Sequence, residues 1–351
     1  MQYRRLGKSN LKVSALCLGT MMFGDQTPID EARSIVASAR EHGVNFIDTA
    51  DVYSKGKSEE MVGKLLQGQR GDWVLASKLG NAMAGAPNQS HYSRHWIVAE
   101  TDNILRRLDT DYLDVLYMHR DYHEENLEEA IQALGDLIRA GKIRGFGVSN
   151  FRGWRIAEIV RLCEKNNVPL PLVCQPYYNL LNRMPEGEIL PACANYGLGV
   201  VPYSPIARGV LTGKYKPGQK PAEDTRAGRG DKRILETEWR PESIAIAKEI
   251  ATHAAAKKIT PTAFAIAWVL NNRLITSAIT GPRTEEHWDS YLSALDVKLT
   301  AEDGALVDRL VTTGHPSTPG FNDPSHPVEG RVPVSVAGDA ENVVPLARAV
   351  A

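Results

Sequence analysis

The chain has 351 residues, 43% of them hydrophobic, enough to bury the core of one large barrel or two ordinary domains. Its 41 Lys and Arg nearly balance 42 Asp and Glu, which excludes the strong net field of a nucleic-acid or anionic-membrane binder. No segment reaches the roughly 20 apolar residues of a bilayer span, the opening Met1–Gly7 lacks a signal-like apolar run, and the four cysteines (Cys17, Cys163, Cys174, Cys193) form no C-x-x-C pair; a soluble, cytoplasmic protein with free thiols is expected.

Gly7-Lys8-Ser9 predicts a turn, hence an N-terminal hairpin. Apolar runs then predict strands over residues 15–19, 45–48, 73–77, 113–118, 144–148, 172–176, 199–203 and 276–280. Helical periodicity predicts helices over 30–42, 58–67, 93–107, 126–140, 153–166, 186–195, 241–256 with 261–271, and 285–294, with Asp30, Ser58 and Ser93 as caps. Eight strands alternating with helices specify a parallel sheet, and the count favours an α/β (β/α)8 TIM barrel over a doubly wound open sheet. The barrel is expected over 1–313. A Gly- and Ala-rich loop (80–92) and a charged loop (213–240) fall after strands, on the catalytic face. The segment 314–351, rich in Pro and Gly, reads as an extended tail, an arm over this or another subunit of a homo-oligomer, with Arg331 placed to reach a neighbouring cofactor or pocket.

Asp48, Lys78 and His119 each close an apolar strand-like run, and Tyr53 lies in the loop after Asp48. In a parallel barrel all strands end on one face, where barrel enzymes place their chemistry. A tyrosine titrates near pH 10 and needs a neighbouring cation to exchange protons at neutral pH. Lys78 supplies that cation, Asp48 fixes it, and His119 hydrogen-bonds a substrate oxygen. A carbonyl held by Tyr53 and His119 is ready for hydride, which none of these side chains carries, so a nicotinamide cofactor is implied. Singly, each has an ordinary reading: loop carboxylate, half-buried aromatic, solvated charge, satisfied core histidine. Four at successive strand ends outweigh it. His119-Arg120-Asp121 resembles a kinase triplet without the kinase's other motifs, Gly145-Phe146-Gly147 lacks the third glycine of a dinucleotide fingerprint, and no His pair has metal-ligand spacing, so no metal is expected.

Phe46-Ile47-Asp48-Thr49-Ala50-Asp51-Val52-Tyr53, then Lys78, Leu108 to His119 and Gly147-Val148-Ser149-Asn150 occur in an order that resembles the aldo-keto reductase superfamily from about residue 3 to 312. The resemblance implies a (β/α)8 barrel, NADPH as cofactor, and a tetrad of Asp48, Tyr53, Lys78 and His119 with Tyr53 as general acid. It assigns the nicotinamide carboxamide to Ser149, Asn150 and Gln175, and stacking on the nicotinamide to Tyr203. The pyrophosphate goes to the loop of Ser204, Ile206, Arg208, Gly209 and Lys214, and the 2′-phosphate to Arg283 after Gly281. Where relatives carry Gln and Glu-Asn, this chain reads His287, Ser290 and Tyr291, so either His287 and Tyr291 stack on or hydrogen-bond adenine instead, or the segment is an ordinary surface helix with a relaxed cofactor grip. The pocket is expected from Met22, Phe23, His91, Trp96, Arg120 and Asp121, whose polar members favour a small polar or sugar-type aldehyde. The chain is similar to bacterial reductases of sugar and small-aldehyde metabolism, which implies reduction of a sugar aldehyde such as 6-dehydroglucose to glucose; the alternatives are a 2-oxoaldehyde-detoxifying reductase or an NADPH-binding partner subunit like the potassium-channel β subunits.

Overall fold

Alternating apolar residues sort each strand into an inner and an outer face, and the structure follows that alternation. The computed structural model describes residues 1–327 except Ala84, Pro87 and Glu124. Arg331 and the remainder of 328–351 lie outside the described residues. Strands β1 (Tyr3–Arg5) and β2 (Lys12–Ser14) pair antiparallel around Gly7. The next eight are β3 (Leu16–Gly19), β4 (Phe46–Asp48), β5 (Val74–Leu79), β6 (Val115–Met118), β7 (Phe146–Ser149), β8 (Val173–Gln175), β9 (Gly199–Val200) and β10 (Ala278–Thr280). They form one parallel sheet in the order β10-β3-β4-β5-β6-β7-β8-β9. Thr276 N donates to Val200 O at 2.8 Å and Ile279 N to Pro202 O at 3.0 Å, which joins β9 to β10 and closes the (β/α)8 barrel.

Phe46, Val74, Ala76, Val115, Tyr117, Val173 and Ile279 belong to an inner cluster, while their neighbours Ile47, Leu75, Leu116 and Ala278 pack outward against the helices. Because side chains alternate with period two, Asp48, Lys78 and His119 continue the inward rows one step above Phe46, Ala76 and Tyr117. Leu6 and Val13 of the hairpin join the inner cluster, and Lys8 N donates to Gly197 O at 2.8 Å, so the hairpin shuts the end of the barrel where the strands begin. Gly7 has φ 60°, and a Cβ there would lie 2.5 Å from Gly197 O, so glycine is required for that closure. The opposite, catalytic end stays open.

Several local expectations change. Ser93 does cap its helix, Arg94–Leu108, accepting from Trp96 N at 3.2 Å. Asp30 and Ser58 lie inside Ile29–Glu41 and Lys57–Leu66, whose caps are Pro28 and Gly56. Ser58 is fully buried and bonds Thr20 and Thr49, a tie between loops rather than a cap. The segment 213–240 contains a short helix, Lys232–Thr237, capped by Asp231. Described residues of the tail, 314–327, form neither helix nor strand and run back across the catalytic end of their own chain.

Candidate active site

Lys78 ends its inward row with no solvent exposure and donates to Asp48 Oδ1, Thr49 O (2.7 Å) and Tyr53 Oη (3.2 Å). Gln175 Nε2 donates to the other oxygen of Asp48 at 2.9 Å, so both carboxylate oxygens are used. Tyr53 is turned toward Lys78 by the backbone after it: Ser54 and Lys55 are left-handed (φ 49° and 56°), and Gly56 (φ 88°) leads into the helix Lys57–Leu66. A Cβ on Gly56 would meet Arg107 Cδ at 2.8 Å, which leaves room only for glycine. The His119 ring stands edge-on to Tyr53, centroids 6.1 Å apart.

Burial alone would lower Lys78, but Asp48 and Tyr53 outweigh it and hold the ammonium above its ordinary value. Burial pushes Asp48 up, while Lys78 and Gln175 pull it back toward the carboxylate. For Tyr53, burial is the larger influence and raises it, with Lys78 opposing. The phenol is therefore protonated at neutral pH, as a general acid must be, and Lys78 reduces the cost of its ionisation. His119 is held well below the ordinary imidazole value by burial, then by Lys78 and His326, so it is neutral; its Nδ1 is buried without a hydrogen-bond partner among the described residues. The arrangement offers a phenol and a neutral imidazole to one oxygen atom. A surface depression of about 580 Å³ lined by Leu105, Arg106, Asp109, Thr110, Asp111 and Lys142 lies where the chain enters β6, at the other end of the barrel, and carries no such convergence.

The Aldo/keto reductase family model matches residues 15–312, the whole barrel. The chain belongs to the aldo/keto reductase family. Among its relatives are a probable voltage-gated potassium channel subunit beta of Arabidopsis thaliana (36% identical, covering 85% of this chain and 92% of that one) and the L-glyceraldehyde 3-phosphate reductase of Escherichia coli K12 (30% identical, 90% and 93%). Versiconal hemiacetal acetate reductase of Aspergillus parasiticus is 33% identical, covering 86% and 95%. The protein is an oxidoreductase of this family.

The residues that the aldo/keto reductase resemblance assigns to the cofactor fall in two groups. Around β7 to β9, Ser149 Oγ donates to Gln175 O at 2.9 Å, and Asn150 (φ 64°) donates to His119 O at 2.9 Å and accepts from Tyr203 Oη at 2.8 Å. Tyr203 stacks on Tyr177 at 5.6 Å. Beyond it, Ser204, Ala207, Arg208 and Gly209 all have positive φ, so the loop containing Ile206 folds back on itself. Arg208 points inward, over the rings of Tyr177 and Tyr203 and 3.5 Å from buried Glu238, a commitment that the sequence did not disclose.

The second group carries charge. Lys214 is lowered by desolvation and then by Arg283, Arg229 and Arg226, and His287 is lowered by burial and then by Arg283 and Lys214. These mutual effects place Lys214, Arg283 and His287 together, and such a cluster fits a phosphate dianion. Thr27 Oγ1 donates to Arg283 O at 2.9 Å and fixes the loop after Gly281. Tyr291 is 6% exposed and packs in the outer apolar cluster.

The expected pocket divides. Met22, His91 and Arg120 keep exposed surface; His91 bonds Glu125 at 2.8 Å and stacks on Tyr122 at 3.9 Å. Phe23 packs in the outer apolar cluster, Trp96 is buried with its Nε1 lacking a hydrogen-bond partner among the described residues, and buried Asp121 is paired with Arg155 at 3.1 Å.

Proposed function

We propose that this oxidoreductase uses NADPH to reduce a small polar or sugar-type aldehyde to the alcohol, with Tyr53 as general acid. The observation that carries the reading is the buried Asp48–Lys78–Tyr53 chain facing His119 at the open end of the barrel. When bound, NADPH supplies the hydride. Ser149, Asn150, Gln175 and Tyr203 would hold its nicotinamide, and Lys214 and Arg283 its phosphates. Neutral His119 donates one hydrogen bond to the carbonyl oxygen and orients it. Tyr53 donates the second and gives up its proton as negative charge develops there. Lys78 stabilises the resulting phenolate, and Asp48, held by Gln175, keeps Lys78 charged and in place. The balanced charge and four buried, unpaired cysteines suit a reducing cytoplasm.

The test follows NADPH oxidation with a panel of aldehydes. Tyr53→Phe is expected to lower kcat about 10²–10⁴-fold, the range for removing a general acid, with NADPH affinity unchanged. Relatives named as potassium-channel β subunits favour a second reading, an NADPH-binding partner subunit. Tight NADPH binding with no turnover on any carbonyl would select it.

A further inference from the structure

The stretch 317–327 crosses the open end of the barrel as a strap, and four arginines from the loops after β6, β7 and β9 hold it. Arg240 donates to Ser317 and Thr318 and lies over the Phe321 ring at 3.7 Å. Arg233 grips Asp323 with two bonds of 3.0 and 2.7 Å and Ser325 Oγ at 2.7 Å. Arg120 donates to Ser325 O at 2.6 Å, and Arg152 to His326 O at 3.0 Å and Pro327 O at 3.2 Å. Bidentate pairing of Arg233 with Asp323 fixes orientation as well as position.

The strap carries one residue into the site. Arg120 directly follows His119, and Arg152 lies two residues past Asn150, which itself donates to His119 O at 2.9 Å, so the backbone carbonyls these arginines hold set His326 over the ends of β6 and β7, beside the catalytic imidazole. Neither imidazole nitrogen of His326 has a hydrogen-bond partner among the described residues, although every polar neighbour on the strap is engaged. Burial, opposed by Asp323 and reinforced by Arg120, Arg233 and Arg152, lowers His326 to about 4, so it is a neutral imidazole, able both to donate and to accept.

We propose that His326 is a substrate-positioning residue that hydrogen-bonds a hydroxyl next to the reacting carbonyl, so that the strap selects hydroxylated over plain aldehydes. The proposal rests on the reductase reading above. Arg120, expected to meet substrate, instead anchors the strap that presents His326.

The experiment compares kcat/KM for glyceraldehyde and propanal, with NADPH, in the full-length protein and in His326→Ala, His326→Gln and Arg233→Ala. His326→Ala is expected to lower the glyceraldehyde-to-propanal ratio about tenfold through KM, the effect of one lost neutral hydrogen bond. His326→Gln restores most of it, because an amide also donates and accepts, and Arg233→Ala, which loosens the strap, lowers the ratio as well. Propanal turnover is the internal control for folding. A ratio within about twofold of wild type in His326→Ala, or an equal fall on both aldehydes, overturns the role of His326 while the reductase reading stands. A wild type that binds NADPH but reduces neither aldehyde overturns that reading and the positioning role with it.

Discussion

Replacing Lys78 by methionine leaves an unbranched side chain one atom shorter and removes the charge together with the N–H donors to Asp48, Thr49 O and Tyr53. In the structure Lys78 is fully buried, Asp48 is 2% exposed, and among the described residues the ammonium is the sole cation bonded to that carboxylate. Without it, Asp48 retains one neutral donor, Gln175 at 2.9 Å, against the full desolvation of a carboxylate. Breaking a buried pair from one side costs about 3–5 kcal/mol, so the urea midpoint of Lys78→Met at neutral pH should fall by that equivalent. The loss has a pH signature. In the variant the folded pKa of Asp48 rises far above its unfolded value of about 3.9, so the folded state takes up a proton as pH falls and the deficit shrinks toward acid. Adding Asp48→Asn removes the orphaned charge and should recover about 2 kcal/mol or more. A loss under about 1 kcal/mol, independent of pH and unrelieved by Asp48→Asn, would refute the view of Lys78 and Asp48 as one buried ionic unit.

What the sequence discloses here depends on the range of the interaction. Asp48, Lys78 and His119 are legible because strand periodicity is local: once Phe46, Ala76 and Tyr117 are inward, the residues two steps on must be inward too, at the end where parallel strands finish. Val201–Tyr203 reads as strand from its residues, but β9 ends at Val200, because Pro202 has no N–H for the ladder. Lys232–Thr237 spans six charged and mixed residues, too few to show a face. The strap has no periodicity at all; it is specified by guanidiniums as far as 205 positions away, as in Arg120 with Ser325. For Tyr53 the charge partner Lys78 is visible in sequence and the opposing desolvation is not.

Two further predictions concern charge. Arg283→Ala should raise the KM for NADPH about tenfold or more and leave that for NADH nearly unchanged, since only the 2′-phosphate differs; equal effects on both would remove Arg283 from phosphate recognition. The other lies beneath the tetrad, where Glu59, Glu100 and Asp51 are buried around Arg107. Glu59 accepts from Ser77, the neighbour of Lys78, and from Arg107 at 2.6 Å. Burial pushes Glu59 from 4.5 up to about 7 despite Arg107. The folded protein therefore keeps a proton that the unfolded chain releases. Stability from this site is complete below pH 4.5 and is lost as pH rises toward 7, a span worth roughly 3 kcal/mol. Asp51, also raised by burial and then by Glu59 and Glu100, acts with the same sign. Urea midpoints measured between about pH 5 and pH 8 should fall in wild type, and Glu59→Gln, which cannot titrate, should flatten much of that slope. An unchanged slope in Glu59→Gln would mean that Arg107 holds Glu59 ionised throughout, and that the carboxylates beneath Lys78 form a fixed ionic floor rather than a titrating one.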